Sequence, residues 1–246
     1  MANDRQRTSY RLDLDKVAEA VREMNSSRVA VAADWLLHNA FPDLNRALDP
    51  ETIEERVLLV DGLWRTRLFM DEGASDRIAA NLAKSGPGLL SLLSDLEADD
   101  LEAHPTKVYD VARQALPVIL EQVPNSERRY TQHYSFAAKF FHWCTRCHFP
   151  IVDGNARQAI NAMQNRHEVR PVVRRDTAEM GGLTYVAEYE RWIHFYSDLI
   201  SGLSAIDRER LLKVDHDSLP GRYCYKNSLL RILDKYFWWR GSRGSA

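Results

Sequence analysis

Apolar residues recur along most of the chain at the three- and four-residue spacing of an α-helix. The first such face consists of Leu14, Val17, Ala18, Val21 and Met24. This spacing is typical of a helix with one buried side. Alternating patterns of the kind that predict strands are nearly absent, and residues 171–173 are the single weak candidate. The sequence therefore predicts an all-α protein.

Proline, glycine and helix-capping residues indicate where the helices are expected to begin and end. Asp49-Pro50-Glu51 predicts a helix start, because it combines a capping side chain, a proline in the first turn and an acidic residue. Ser85-Gly86-Pro87-Gly88 predicts a break after a short helix. Further helices are expected from Thr106 to about residue 123, over 135–146, over about 154–164, over about 185–203, and from near Pro220 to Trp239.

These elements divide the chain into four segments. N-terminal helices (1–48) are expected to pack on a helical core (49–170), followed by C-terminal helices (171–240) and a disordered tail (241–246). A chain of 246 residues is long enough to bury a full core without disulfides.

Composition narrows the cellular setting. The first sixteen residues are charged and contain no apolar stretch, so no signal peptide is expected. No segment approaches the roughly 20 apolar residues of a membrane helix. The three cysteines are then expected to be reduced thiols, which favours a cytoplasmic protein without a membrane partner.

The distribution of charge is uneven although the net charge is only −2. Residues 128–175 hold nine basic and two acidic side chains, a net charge of +7, and residues 221–246 hold six basic and one acidic. Such clustering can give one face a positive field that attracts nucleic acid. Arginines scattered over a solvated surface would give the same count, so both interpretations stay open.

The segment from Ser135 to Arg157 carries the candidate chemistry. Lys139 lies among apolar and aromatic neighbours, and burial of an ammonium lowers its pKa, as a nucleophilic amine requires. Asp153 precedes a predicted helix, whose N-terminus holds a carboxylate in its charged form. An amine able to lose its proton beside a fixed carboxylate makes a working pair. A surface-covering lysine and an ordinary helix cap are the plainer interpretations.

Two motifs in this segment resemble those of a known family. Ser135-Phe136-Ala137-Ala138-Lys139 stands where the helix-hairpin-helix DNA glycosylases, the superfamily of 8-oxoguanine DNA glycosylase, place the hairpin and its catalytic lysine. Pro150-Ile151-Val152-Asp153 with Gly154-Asn155-Ala156-Arg157 is similar to the motif that carries their catalytic aspartate. The resemblance covers about residues 50–165 and implies a glycosylase-like helical core with extra helices at both ends.

The resemblance implies a DNA glycosylase/AP lyase that excises a damaged or modified base through a lysine Schiff base, with DNA as partner and neither metal nor cofactor. Lys139 would be the nucleophile and Asp153 its charged partner, with His142 and His133 as accessory residues. The residues expected to contact DNA are Arg65, Thr66, Ser135, Ala137, Arg128, Arg129, Arg146, Asn155 and Arg157.

Other functions remain open at this stage. Cys144-Thr145-Arg146-Cys147-His148 has the spacing of a haem-attachment motif, and Cys144, Cys147 and Cys224 with a histidine could form a zinc site, but neither fits the rest of the sequence. A non-catalytic helical module that binds nucleic acid or protein, of the antitoxin or phage-defence type, is the main alternative. Replacement of both hairpin glycines, by Ser135 and Ala137, favours that alternative.

Overall fold

The computed structural model describes residues 12–64, 66, 68, 72–120, 130–165 and 182–243, with the backbone alone at 130–133, 165 and 182–188. Within these ranges every regular element is a helix, which confirms the predicted all-α class. The helices are α1 (Leu14–Ser26), α2 (Arg28–Ala40), α3 (Leu44–Ala47), α4 (Ile53–Trp64), α5 (Ala74–Ser94), α6 (Asp100–Ala103), α7 (Pro105–Leu120), α8 (Tyr130–Cys144), α9 (Gly154–Asn165), α10 (Gly182–Ser201), α11 (Ala205–Ser218) and α12 (Leu229–Arg243).

Local side chains fix several helix starts. Asp13 caps α1 by accepting from the Lys16 backbone N–H, and Ser27 caps α2 in the same way. Ser204 and Asp207 form a reciprocal capping box at the start of α11. Such bonds satisfy backbone donors that have no partner inside the helix, so these starts are encoded locally.

The predicted break at residues 85–88 is wrong, because α5 continues through it to Ser94. Gly86 is buried, and a Cβ there would lie at an ordinary contact distance of 3.5 Å from the Leu48 carbonyl oxygen. Ile78, Leu82 and Leu89 continue one buried face past the proline. Tertiary packing therefore outweighs the local cost of Gly86 and Pro87.

The C-terminal part also differs from its prediction. Residues 205–218 form α11, which has only two buried residues, Leu211 and Asp215, and hence little apolar periodicity. The last helix begins at Leu229 rather than near Pro220. It also includes residues 241–243, which were expected to be disordered; residues 244–246 lie outside the described part of the chain.

Two packing centres organise the described helices. Helix α7 packs against α5, α8 and α10, while α12 packs against α9, α1 and α11. The last helix thus holds the first helix and the middle of the chain together. In the described residues no helix is long and apolar enough to cross a membrane.

Gly241 marks the closest approach of α12 to α9. A Cβ at this position would overlap the backbone carbonyl of Asn155, at the start of α9. Gly241→Ala is therefore expected to lower the free energy of unfolding by about 1–3 kcal/mol through overpacking, measured by urea unfolding. Gly62→Ala is the matched control, since nothing lies within 4 Å of its added Cβ in helix α4. That substitution should raise stability by about 0.5–1 kcal/mol. Equal effects at both positions would contradict the close approach.

Candidate functional site

The connection between α8 and α9 brings the predicted site residues together. Arg146 and Cys147 adopt left-handed backbone conformations (φ 54° and 67°), so the chain reverses directly after α8. The Cys147 backbone N–H donates to the His142 carbonyl oxygen at 2.6 Å. From helix α10, the Tyr189 hydroxyl donates to the Pro150 carbonyl and that of Tyr196 to Ile151. These bonds hold the returning segment, residues 147–153, in place.

Lys139 and Asp153 form a buried ion pair at the centre of this arrangement. The Lys139 Nζ lies 3.2 Å from an Asp153 carboxylate oxygen, and the two side chains are 7% and 8% exposed. The other carboxylate oxygen of Asp153 accepts from the Ala156 backbone N–H at 2.9 Å, the helix-capping bond expected from the sequence. The amine also lies 5.4 Å from the ring centroid of Trp64, the last residue of α4.

Trp64 links this pair to a second group of buried charges. The Arg231 guanidinium of α12 stacks 4.6 Å from the same ring centroid. It donates to Asp34 at 2.7 Å and also to Asp234, one turn further along α12. All three charged side chains are at most about a twentieth exposed. Helices α2, α4 and α12 therefore meet around one guanidinium.

Lys235 extends the network towards α1 and α11. Its Nζ donates to Asp215 at 2.7 Å and to the Asn25 side-chain oxygen at 2.8 Å, and lies 3.8 Å from Asp34. Asn227 donates to the other Asp215 oxygen at 2.8 Å. Burial opposes ionisation of Asp215, but Lys235 and these hydrogen bonds hold its pKa below the ordinary value.

Asp234 differs from the other carboxylates of the network. Burial raises its pKa to about 7, although Arg231 acts in the opposite direction. The charge of Asp153 raises this pKa further, and that of Lys139 lowers it. A carboxyl that titrates near neutral pH is thus electrostatically coupled to the Lys139–Asp153 pair.

His142 has a packing role in this geometry, and its burial weighs against the accessory role expected from the sequence. Its Nδ1 donates to the Phe149 carbonyl oxygen at 2.7 Å, which orients the returning segment. Burial holds its pKa well below the usual range, so the ring stays neutral. Its Nε2 has no hydrogen-bond partner among the described residues. A histidine that transfers protons must gain and lose a proton, and the burial of His142 disfavours its charged form.

Several residues expected to contact DNA are placed elsewhere. Residues 135–139 form no hairpin but lie inside α8, where backbone N–H groups donate along the helix. Ala137 is fully buried and Ser135 is half-buried, so this geometry offers no hairpin for the expected phosphate contacts, which stay a prediction. Thr66 is buried too, and its hydroxyl donates to Asp61.

The remaining DNA-contact candidates fall into two groups. Arg146 is exposed, but its guanidinium donates to the Pro42 carbonyl at 2.6 Å; Asn155 and Arg157 are half-buried at the start of α9. Those that lie outside the described side chains are Arg65, Arg128, Arg129 and His133.

A surface cleft of about 320 Å³ lies on another part of the molecule. Neither Lys139 nor Asp153 lines it. Its lining residues are Asn39, Ala40, Pro42, Arg46, Thr52, Glu55, Arg56 and Leu59.

The network that surrounds the pair has no counterpart among the sequence predictions. Charged residues inside apolar helical segments were the available signal: Asp34 lies within the apolar run of α2, and Arg231, Asp234 and Lys235 lie between apolar residues of α12. Charged residues are almost never fully buried unless they are paired. Their positions in apolar segments therefore indicate that they pair with one another. Trp64 gave no comparable signal.

Comparison with known proteins adds no relative: no protein-family model, curated protein or solved structure matches the chain. The glycosylase resemblance therefore stays a prediction that rests on the residues alone.

Removal of the Arg231 guanidinium tests how much the network contributes to the free energy of unfolding. Arg231→Met leaves Asp34 and Asp234 buried without their main partner, and is expected to lower the free energy of unfolding by about 3–5 kcal/mol in urea unfolding. Lys213→Met is the control, because the Lys213–Asp217 pair is exposed and should contribute almost nothing. A loss below about 1 kcal/mol, typical of an ordinary substitution, would show that the network is dispensable.

Proposed function

We propose that the protein is a DNA glycosylase/AP lyase in which the Lys139 amine attacks the sugar of a damaged or modified nucleotide. The observation that supports the proposal is the pairing of Lys139 with Asp153 at 3.2 Å, with Asp153 fixed at the N-terminus of α9. The helix N-terminus favours the charged carboxylate that the reaction requires beside the amine. The reaction further requires the amine in its neutral form.

The steps follow from these roles. The neutral Lys139 amine forms a bond to C1′ while the bond from C1′ to the base breaks, and the electron pair leaves with the base. The Asp153 carboxylate stabilises the positive charge that develops on the sugar. Loss of a proton from nitrogen and opening of the sugar ring, with O4′ protonated, give a Schiff base. Removal of a C2′ proton then expels the 3′ phosphate and cleaves the strand.

Burial places a condition on this reaction. Lys139 is only 5% exposed, so a flipped nucleotide reaches its amine only after side chains around Trp64 move. Trp64 is half-buried and borders the amine, which makes it the nearest described side chain of α4 that such a movement would displace.

A second candidate is a non-catalytic helical module that binds nucleic acid or protein. It is favoured by the nearly complete burial of the pair and its coupling to the network of Arg231 and Asp234. A buried ion pair of this kind can serve structure alone, and replacing it with uncharged side chains is often neutral or stabilising.

Reductive trapping tests the proposed reaction. Protein is incubated with duplex DNA that contains an abasic site or 8-oxoguanine, and borohydride is added to reduce the Schiff base. We expect a covalent adduct with the wild type and its loss in Lys139→Gln, because the amide cannot form the imine. Lys107→Gln is the matched control, since Lys107 also pairs with a buried aspartate, Asp100, but its own side chain is 41% exposed.

The outcomes separate the two candidates. Retention of the adduct in a folded Lys139→Gln variant would assign the reaction to another amine. Absence of an adduct with the wild type on both substrates would favour the non-catalytic module. In that case the double variant Lys139→Met with Asp153→Asn, which keeps a capping side chain, should be as stable as the wild type.

A further inference from the structure

The buried charges around α12 do not balance. The cations are Lys139, Arg231 and Lys235, and the carboxylates are Asp34, Asp153, Asp215 and Asp234, all of them at least nine-tenths buried. Four anions against three cations leave one negative charge without a partner in a low-dielectric interior, where it is costly. One carboxyl of the cluster is therefore favoured to hold a proton.

Hydrogen bonding identifies that carboxyl. Asp34 receives a bidentate guanidinium, Asp153 receives Lys139 and a backbone N–H, and Asp215 receives Lys235 and two asparagine side chains. Within the described part of the chain, Asp234 receives a single donor, the Nη1 of Arg231. Fewer donors mean weaker stabilisation of the charged form, so Asp234 is the carboxyl that most easily becomes neutral.

Asp234 is close enough to influence Lys139. The Arg231 guanidinium and the Lys139 amine lie 4.6 and 5.4 Å from one Trp64 ring centroid, so they are at most 10 Å apart, and Asp234 is hydrogen-bonded to that guanidinium. Little water separates these groups, and charges at this range interact more strongly than in bulk solvent.

Several other groups around this part of α12 are neutral, while Arg157 of α9, the helix packed against α12, is charged at all relevant pH values. The Cys147 thiol stays neutral, because burial raises its pKa, and His38 of α2 stays neutral because burial lowers its pKa. Helix α1 contributes the uncharged Asn25, and α10 contributes the aromatic rings of Phe195 and Tyr196 against Phe237. Within the cluster, burial raises the pKa of Asp234 to about 7.

We infer that Asp234 is a positioning residue that controls the charge of Lys139: when Asp234 is ionised it holds Lys139 as the ammonium, and when it is protonated it releases that constraint. The proton moves between Asp234 and solvent, with no bond of the substrate involved. The consequence for catalysis rests on the proposed function, since only a nucleophilic Lys139 gains from losing its proton. The electrostatic coupling itself does not rest on it.

Lysine side-chain 15N NMR tests the coupling without activity. Asp234→Asn leaves three cations against three carboxylates, so the variant is expected to fold. We expect the Lys139 amine, assigned by its absence in Lys139→Gln, to lose its proton at a lower pH in Asp234→Asn than in the wild type, because a nearby negative charge is removed. Asp217→Asn, which removes an exposed carboxylate, should leave this titration midpoint unchanged. The wild-type Lys139 resonance should itself shift near pH 7, a readout that needs no variant.

The results distinguish the two proposals. An unchanged Lys139 midpoint in a folded Asp234→Asn variant, or no wild-type inflection near pH 7, overturns the role of Asp234. A lowered midpoint together with no trapped adduct from the wild type overturns the proposed reaction and leaves the coupling intact. If both proposals hold, adduct formation by Asp234→Asn should match the wild type at pH 6 and exceed it several-fold above pH 8.

The proton on Asp234 also predicts a pH dependence of stability. Its pKa is about 7 in the folded protein, against an ordinary value of 3.8, so the folded state binds a proton that the unfolded state has lost. Stability from this group is therefore complete below pH 4 and is lost as pH rises towards 7. The unfolding equilibrium constant of the wild type relative to Asp234→Asn should increase by up to about tenfold per pH unit in this window, measured by urea unfolding. A constant difference between the two proteins would contradict a protonated Asp234.

Discussion

The burial of charge around α12 is the constraint on which the rest of the structure depends. An arginine, two lysines and four aspartates are withdrawn from water at this centre, and each must find a partner at bonding distance. The partners come from α2, α8, α9, α11 and α12, with α1 supplying an amide. These ion pairs and hydrogen bonds fix the positions of α1 and α2 relative to α11 and α12. Apolar packing alone would specify those positions less closely.

The buried charges around α12 and the elements that carry them determine the geometry of the candidate site. Lys139 and Asp153 meet because a tight reversal after α8 returns the chain, and the hydroxyls of two tyrosines hold the returning segment. Trp64 then places the amine and the Arg231 guanidinium against one aromatic ring. A pair in this setting is shielded from water, so a nucleotide could reach the amine only after a rearrangement of the side chains around it.

Local patterns in the sequence predicted the parts that depend on local physics. The helical class, the ends of α9 and the cap at Asp153 follow from periodicity and capping side chains. The unbroken α5 did not, because Gly86 and Pro87 disfavour a helix locally and tertiary packing of its buried face favours it. The bond from Arg231 to Asp34 spans 197 positions, and no spacing rule connects residues so far apart. The helical conformation of residues 135–139 has a local cause, since neither Ser135 nor Ala137 has the conformational freedom of the glycines that a tight hairpin needs.

The central claim is that the Lys139 amine, which is buried and paired with Asp153, is the reacting group. Peptide mapping by mass spectrometry of the protein after reductive trapping on abasic-site DNA tests it most directly. The account predicts one modified peptide, with the sugar remnant attached to Lys139. A remnant on a surface lysine such as Lys107 would contradict it, because the buried pair would then be a structural ion pair and the reaction a property of exposed amines.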